Sequence, residues 1–152
     1  MQPITLQPAD SGDAVSVRDL VRAAYAKWVP VIGREPRPMT VDYRQAIAEH
    51  DVLLARAGTT IAGILETTTR ADHVWIENLA VLPSFQGKGI GRQLLDAADE
   101  RARRAGLSEV RLLTNAAFVE NVALYRRRGF VVTSEEPFMG GITLFFAKRL
   151  AG

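Results

Sequence analysis

Two stretches of this chain carry residues in patterns that could do chemistry. The first is Gln86-Gly87-Lys88-Gly89-Ile90-Gly91-Arg92, which sets three glycines at the mouth of an amphipathic segment. Glycine turns tightly and leaves its N–H unobstructed. The first N–H groups of a helix lack internal partners and lie at the positive end of its dipole. A loop of this kind is a cradle for a phosphate or pyrophosphate. Nucleotide motifs fail on it. Lys88 is followed by Gly89 where a P-loop needs Ser or Thr, and Arg92 stands where a dinucleotide loop needs glycine. The loop itself therefore implies only a ligand that bears phosphate. The second stretch holds Asn121 and Tyr125, four apart and so on one helix face.

These residues need elements to position them. Ile4-Thr5-Leu6 reads as a short strand, and Asp10 or Ser11 caps the first helix. Val17, Leu20, Val21, Ala24 and Trp28 recur at helical spacing over 13–32, ended by Pro30 and Gly33. A second helix is expected from Thr40 to Glu49. Strands are expected at 52–56, 61–69 and 73–81, the first two as a hairpin around Gly58. The clearest helix spans 89–105, with an apolar stripe of Ile90, Leu94, Ala97, Ala98 and Ala102. Asp99–Arg103 and Glu100–Arg104 read as exposed pairs four apart. A strand at 110–114, a helix at 119–128 and strands at 130–133 and 142–148 complete the order, with 135–141 as a loop. Hairpins first and β-α-β crossovers later imply a mixed sheet with helices on its faces.

The totals remove several function classes. With 152 residues, one domain over 1–152 is expected. The absence of cysteine excludes disulfides, thiolate metal sites and a cysteine nucleophile. No metal site is expected. No apolar run approaches the roughly 18 residues of a membrane span, and the first residues lack the pattern of a secretory signal. The expectation is a cytoplasmic protein with no membrane partner. Arginines cluster at 101, 103 and 104 and at 126–128 within a net charge of +2. They read either as solvated helix faces or as a basic rim that attracts a phosphorylated ligand. No aromatic-interleaved basic stretch or metal-finger spacing supports nucleic-acid binding.

The phosphate loop resembles the Gln/Arg-x-x-Gly-x-Gly/Ala signature of the GNAT superfamily of N-acetyltransferases. Ile76-Glu77-Asn78-Leu79-Ala80-Val81-Leu82-Pro83 resembles that family's central strand. Asn121-Val122-Ala123-Leu124-Tyr125, ending in Gly129-Phe130, resembles its second cofactor motif. The resemblance is strong over 74–131. It implies a single-domain α+β fold: a mixed, mostly antiparallel sheet with helices on both faces and a splayed central strand pair. It implies acetyl-CoA as co-substrate, its pyrophosphate on the N–H groups of Gly87, Lys88, Gly89, Ile90, Gly91 and Arg92 beside Gln86. Pantetheine would lie along Leu79, Ala80 and Val81, with Asn121 and Tyr125 also at the cofactor. A bulge in the central strand would free backbone groups for that contact.

Within the resemblance Tyr125 matches the general acid that protonates the departing thiolate, and Glu77 is the first candidate for the base. Spacing sets Glu77 on the face of Leu79; His73 and Glu66 are the alternatives. Trp28, Arg34, Arg37, Tyr43, Glu135, Glu136 and Phe138 are candidates for the acceptor pocket. The implied activity is acetyl transfer to a primary amine of a small molecule or peptide by direct attack in a ternary complex. The alternative is a non-catalytic acyl-CoA-binding module. A homodimer stays open.

Overall fold

The computed structural model describes residues 3–151, so the expectations that fall on Met1, Gln2 and Gly152 lie outside the described residues. Seven strands form one sheet: β1 (Ile4–Pro8), β2 (Asp51–Ala57), β3 (Thr60–Thr69), β4 (Val74–Val81), β5 (Glu109–Asn115), β6 (Val131–Phe138) and β7 (Gly141–Arg149). Their spatial order is β1-β2-β3-β4-β5-β7-β6. Every neighbouring pair is antiparallel except β4 and β5. The helices are α1 (Ala14–Tyr25), the single turn α2 (Val29–Ile32), α3 (Tyr43–Glu49), α4 (Ile90–Arg104) and α5 (Val119–Arg127).

Two apolar cores lie on opposite faces of the sheet. One gathers Val17, Leu20 and Val21 of α1 with Met39, Tyr43, Leu54, Ile64 and Phe118. The other gathers Ile90, Leu94, Leu95, Ala98 and Ala102 of α4 with Leu65, Leu79, Val110, Tyr125 and Phe146. Leu94 is fully buried at the centre of the second core. Leu94→Ala is expected to cost roughly 2–5 kcal/mol, read as a lowered midpoint of urea unfolding with the m-value kept.

Local signals account for most boundaries. Asp10 accepts from Gly12 N while Asp13 accepts from Asp10 N, a reciprocal cap at the entry to α1. The expected second helix starts later than Thr40. Residues Arg37–Thr40 form a 3-10 turn, and Asp42 caps α3 by accepting from Arg44 N and Gln45 N. The long first helix is interrupted after Tyr25 by a 3-10 turn at Ala26–Trp28. The expected loop at 135–141 is mostly strand. β6 runs on to Phe138, and a two-residue turn at Met139 and Gly140, both at positive φ, returns the chain into β7. Of the two expected pairs on α4, Glu100–Arg104 forms, at 3.2 Å. Asp99 is instead buried and takes Lys148 of β7 at 2.7 Å.

Two irregularities in the sheet shape the site. Opposite β3 the register passes from Glu66↔Asn78 to Thr67↔Ile76, so Glu77 is an extra residue in β4. This is the expected bulge. The β4–β5 pairing covers only Val74↔Val110 and Trp75↔Arg111. From Ile76 onward the two strands part, and the edge of β4 that faces β5 has no strand partner.

Candidate active site

A cavity of about 730 Å³ fills the gap between β4 and β5. Leu79, Ala80 and Val81 supply one wall, Gln86 to Arg92 the mouth, and Asn121, Leu124 and Tyr125 of α5 the other wall. Ala24 and Tyr25 at the end of α1, with Trp28 in the turn after it, close the far side. Every residue expected to hold the cofactor therefore borders one cavity. Glu77 does not border it.

The mouth is built from the loop upward. Leu82 leads into a 3-10 turn at Pro83–Phe85, closed by Phe85 N donating to the Leu82 carbonyl. The Gln86 amide Nε2 donates back to the Val81 carbonyl at 3.1 Å, tying the loop to the end of β4. Gly87 and Gly89 adopt φ of +77° and +82°, the left-handed region that favours glycine. Gly89 occupies the N-cap position of α4 without a side-chain cap. The first α4 bond from the backbone is Gln93 N to the Gly89 carbonyl. Among the described residues the six N–H groups from Gly87 to Arg92 thus donate to no protein acceptor. Six donors without a protein acceptor thus gather at the positive end of a 15-residue helix, an arrangement that could hold an anion.

Charge at the rim agrees. Lys27, Lys88, Arg92, Arg127 and Arg128 line the cavity against one acid, Glu120. Lys27 pairs with Glu120 at 2.7 Å and Arg128 with Asp96 at 2.8 Å. Lys88, Arg92 and Arg127 have no carboxylate partner among the described residues. The two arginine clusters separate here. Arg101 and Arg104 pair with Asp51 and Glu100 on a solvated face, while Arg127 and Arg128 rim the cavity.

Tyr125 is buried, its ring edge-on to Phe130 at 5.8 Å and tilted to Phe146 at 5.9 Å. Its hydroxyl has no hydrogen-bond partner among the described residues. Burial pushes this phenol well above its usual range, so it stays protonated. Asn121, one turn earlier and half-buried, also keeps its side-chain amide free. Tyr25 stands across the cavity. Its hydroxyl donates to Asn78 Oδ1 at 2.8 Å, and Asn78 Nδ2 donates to the Tyr43 hydroxyl at 3.1 Å.

The bulge corrects one expectation. With an extra residue in β4, Glu77 shares the α1 side of the sheet with Asn78, opposite the face of Leu79. There it accepts from Thr68 Oγ1 at 3.1 Å and lies 3.5 Å from Arg70. Glu66, paired in register with Asn78, is buried on the same side, 2.6 Å from His50 Nδ1. His73 lies at the turn before β4, bound to Asp72 at 2.7 Å, and does not border the cavity.

Of the acceptor-pocket candidates, Trp28 lines the cavity and stacks on Phe118 at 5.0 Å. Arg34 lies over the Phe138 ring at 5.4 Å, joining the connection after α2 to the β6–β7 turn. Glu135 and Glu136 are exposed on β6. Sequence reasoning misses Tyr25 and Asn78. Tyr25 carries no signal beyond its place on an apolar helix stripe, and Asn78 is visible only as a polar residue inside an apolar strand.

Comparison with known proteins agrees with this geometry. Residues 16–130 match the model of the acetyltransferase (GNAT) family. An IAA acetyltransferase of Azospirillum brasilense is 34% identical over 90 residues, 57% of this chain and 59% of that protein, so the match spans little more than half of either. The N-alpha-acetyltransferase RimI of Mycobacterium tuberculosis is 29% identical over 135 residues, 85% of this chain and 79% of that protein. PaiA N-acetyltransferase of Thermoplasma acidophilum, solved in complex with coenzyme A, superposes with a TM-score of 0.78 at 19% identity, covering 97% of this chain and 99% of that one. A family match over three quarters of the chain, on a sheet splayed beside a row of unpaired amide donors, settles its kinship: this chain belongs to the GNAT family of acetyltransferases.

Proposed function

We propose that this chain, as one cytoplasmic domain over 1–152, transfers the acetyl group of acetyl-CoA to a primary amine of a small molecule or peptide. The observation that carries the reading is the run of free N–H groups from Gly87 to Arg92, opening onto a cavity that also holds the free Tyr125 hydroxyl. A pyrophosphate needs several donors at once, and a thioester needs one proton donor at its sulfur. The loop amides and the phenol that could meet these needs border the same gap. That PaiA was solved with coenzyme A and that RimI is an N-alpha-acetyltransferase support the assignment.

Acetyl-CoA would supply the activated acyl group. The loop N–H groups would hold its pyrophosphate, with Lys88, Arg92 and Arg127 adding charge at the rim. The unpaired edge of β4 from Leu79 to Val81 would pair with the amide groups of the pantetheine, as a missing strand would. A backbone N–H near Leu79 would stabilise negative charge on the carbonyl oxygen as the amine attacks. Tyr125 would then donate its proton to the leaving sulfur. The chain holds no cysteine, so the acyl group cannot pass through a thioester on the enzyme, and we read the transfer as direct attack by the amine. A module that only bound acyl-CoA would not need a buried, unpartnered phenol in that gap.

Acetyl-CoA at about 100 times its Kd is expected to stabilise the fold by roughly 2.7 kcal/mol, read as a raised Tm. Release of CoA from acetyl-CoA in the presence of a panel of primary amines then reports transfer. A shift with NAD or ATP and none with acetyl-CoA would remove the reading.

A further inference from the structure

A phenol can donate a hydrogen bond or accept one, and what it offers a ligand depends on where its single proton goes. For Tyr25 that direction is fixed by a buried chain through Asn78 and Tyr43. The far end of the chain sets its polarity. The Pro38 carbonyl has no proton, so the Tyr43 hydroxyl, 2.6 Å away, donates to it. Tyr43 then has only lone pairs left for Asn78, and the Asn78 atom at 3.1 Å is the amide Nδ2, which donates. This turns Oδ1 of Asn78 toward Tyr25, whose hydroxyl donates to it at 2.8 Å. Tyr25, Tyr43 and Asn78 are all buried, so water does not compete for these bonds. With its proton held by Asn78, the Tyr25 oxygen presents only lone pairs to anything else.

Those lone pairs lie at the gap. Leu82 N donates to the Ala62 carbonyl of β3. Backbone groups alternate in direction along a strand, so Ala80, in register with Ile64, also faces β3. Leu79 and Val81 therefore turn their N–H and C=O groups to the side where β4 and β5 part. The Tyr25 oxygen is 3.4 Å from the Leu79 carbonyl, at that edge, and Tyr25 borders the cavity. Tyr125 stands near enough that charge on it would act on Tyr25. One end of the cavity thus gathers a phenol with a free proton, a backbone edge and an oxygen that can only accept.

The carbonyl oxygen and sulfur of a thioester are themselves acceptors and have no use for the Tyr25 lone pairs. An amine carries N–H groups and does. We propose that Tyr25 orients the acceptor: its oxygen takes one N–H of the incoming primary amine and so aims the nitrogen lone pair at the thioester carbonyl, while Asn78 and Tyr43 keep Tyr25 in the accepting state. The assignment rests on the acetyltransferase reading above, in which the pantetheine amides pair with the β4 edge. A neutral primary amine has two N–H groups, so one stays on Tyr25 as the nitrogen attacks. No bond to Tyr25 forms or breaks, and its own proton remains directed at Asn78.

The test compares wild type, Tyr25→Phe and the double variant Tyr25→Phe/Asn78→Leu. The amine is whichever of ethylamine, benzylamine, glycinamide and 1,4-diaminobutane the wild type acetylates fastest. CoA release gives kcat/KM for that amine at saturating acetyl-CoA, calorimetry gives the Kd for acetyl-CoA, and a melt gives Tm. Tyr25→Phe keeps the ring that meets Phe118 edge-on at 6.1 Å. It is expected to lower kcat/KM for the amine by about 10–100-fold, the scale of a misaligned reactant, with the Kd for acetyl-CoA nearly unchanged. It also strands Oδ1 of Asn78 in the interior, so Tm falls. The double variant removes both partners, so Tm should recover toward wild type while kcat/KM should not. Recovery of kcat/KM together with Tm overturns the proposal, because Tyr25 would then act through the fold alone. A raised Kd for acetyl-CoA in Tyr25→Phe also overturns it, because the oxygen would then belong to the pantetheine. Unaltered kcat/KM overturns it outright. If acetyl-CoA stabilises the wild type yet none of the four amines is acetylated, the Tyr25 role falls while the cofactor reading stands. If acetyl-CoA does not stabilise it, both fall.

Discussion

Tyr125→Phe is expected to lower kcat by about 10²–10⁴-fold while leaving the Kd for acetyl-CoA nearly unchanged. The substitution removes one oxygen and keeps the ring that packs on Phe130 and Phe146. That oxygen bonds to nothing else in the described chain, so stability should move by no more than about 1 kcal/mol. A drop in kcat without a drop in stability or cofactor affinity isolates the proton-donor role. Stopped-flow CoA release and a thermal melt on the same preparation make the comparison. Unaltered turnover would remove Tyr125 from that role.

The pH dependence comes from the same burial. All three tyrosines, Tyr25, Tyr43 and Tyr125, are buried, and burial raises each of them. A raised phenol is protonated in both folded and unfolded chains at neutral pH, so it costs nothing there. Above pH ~10 the unfolded phenols ionise and the folded ones do not. Stability should be fully present below that pH and fall as pH rises through and beyond it. The acid form of Tyr125 remains available across the whole working range.

How much of this is legible in the sequence depends on how local each cause is. The helix at 90–104 announces itself through its stripe, and the glycines before it through backbone geometry that few other residues adopt. Asn121 and Tyr125 are readable because four residues are one helical turn. The bulge at Glu77 is legible only through resemblance, and its consequence for side-chain direction is not legible at all. A strand that is apolar on both faces shows no alternation in which one extra residue would register. Spacing assigns Asp99 to Arg103, yet it belongs to Lys148 on a strand 49 residues away. No pattern within a helix contains that partner. β6 reads as a loop from Glu135 onward because an edge strand exposed on both faces carries Glu135, Glu136 and Pro137, residues that a central strand excludes. The pair of His50 and Glu66 is 16 residues apart on unlike elements. Only the fold brings it together.

Gly89→Val is expected to weaken acetyl-CoA binding by about 10–100-fold, measured by titration calorimetry, and the reason separates it from its neighbour Gly91. At Gly89 a Cβ would meet nothing closer than the Arg92 guanidinium at 3.7 Å, so space is not the obstacle. The obstacle is φ of +82°, which a β-branched residue does not sustain. The backbone would swing toward negative φ, and one of the two N–H groups on either side of that bond, of Gly89 or Ile90, would leave the cradle. Losing one charge-assisted hydrogen bond costs roughly 1.5–3 kcal/mol, which is about tenfold to a hundredfold in Kd. At Gly91 the φ is helical, but a Cβ would come within 3.1 Å of Leu124 Cδ2 on α5. Gly91→Ala therefore keeps the donors aimed and pushes on the helix that carries Tyr125. It should change kcat more than Kd, the reverse of Gly89→Val. An unchanged Kd in Gly89→Val would mean that the loop amides are not what holds the pyrophosphate. A Kd loss in both variants with kcat intact would mean that α5 tolerates the wedge and that the Cβ at 91 shifts the cradle amides instead.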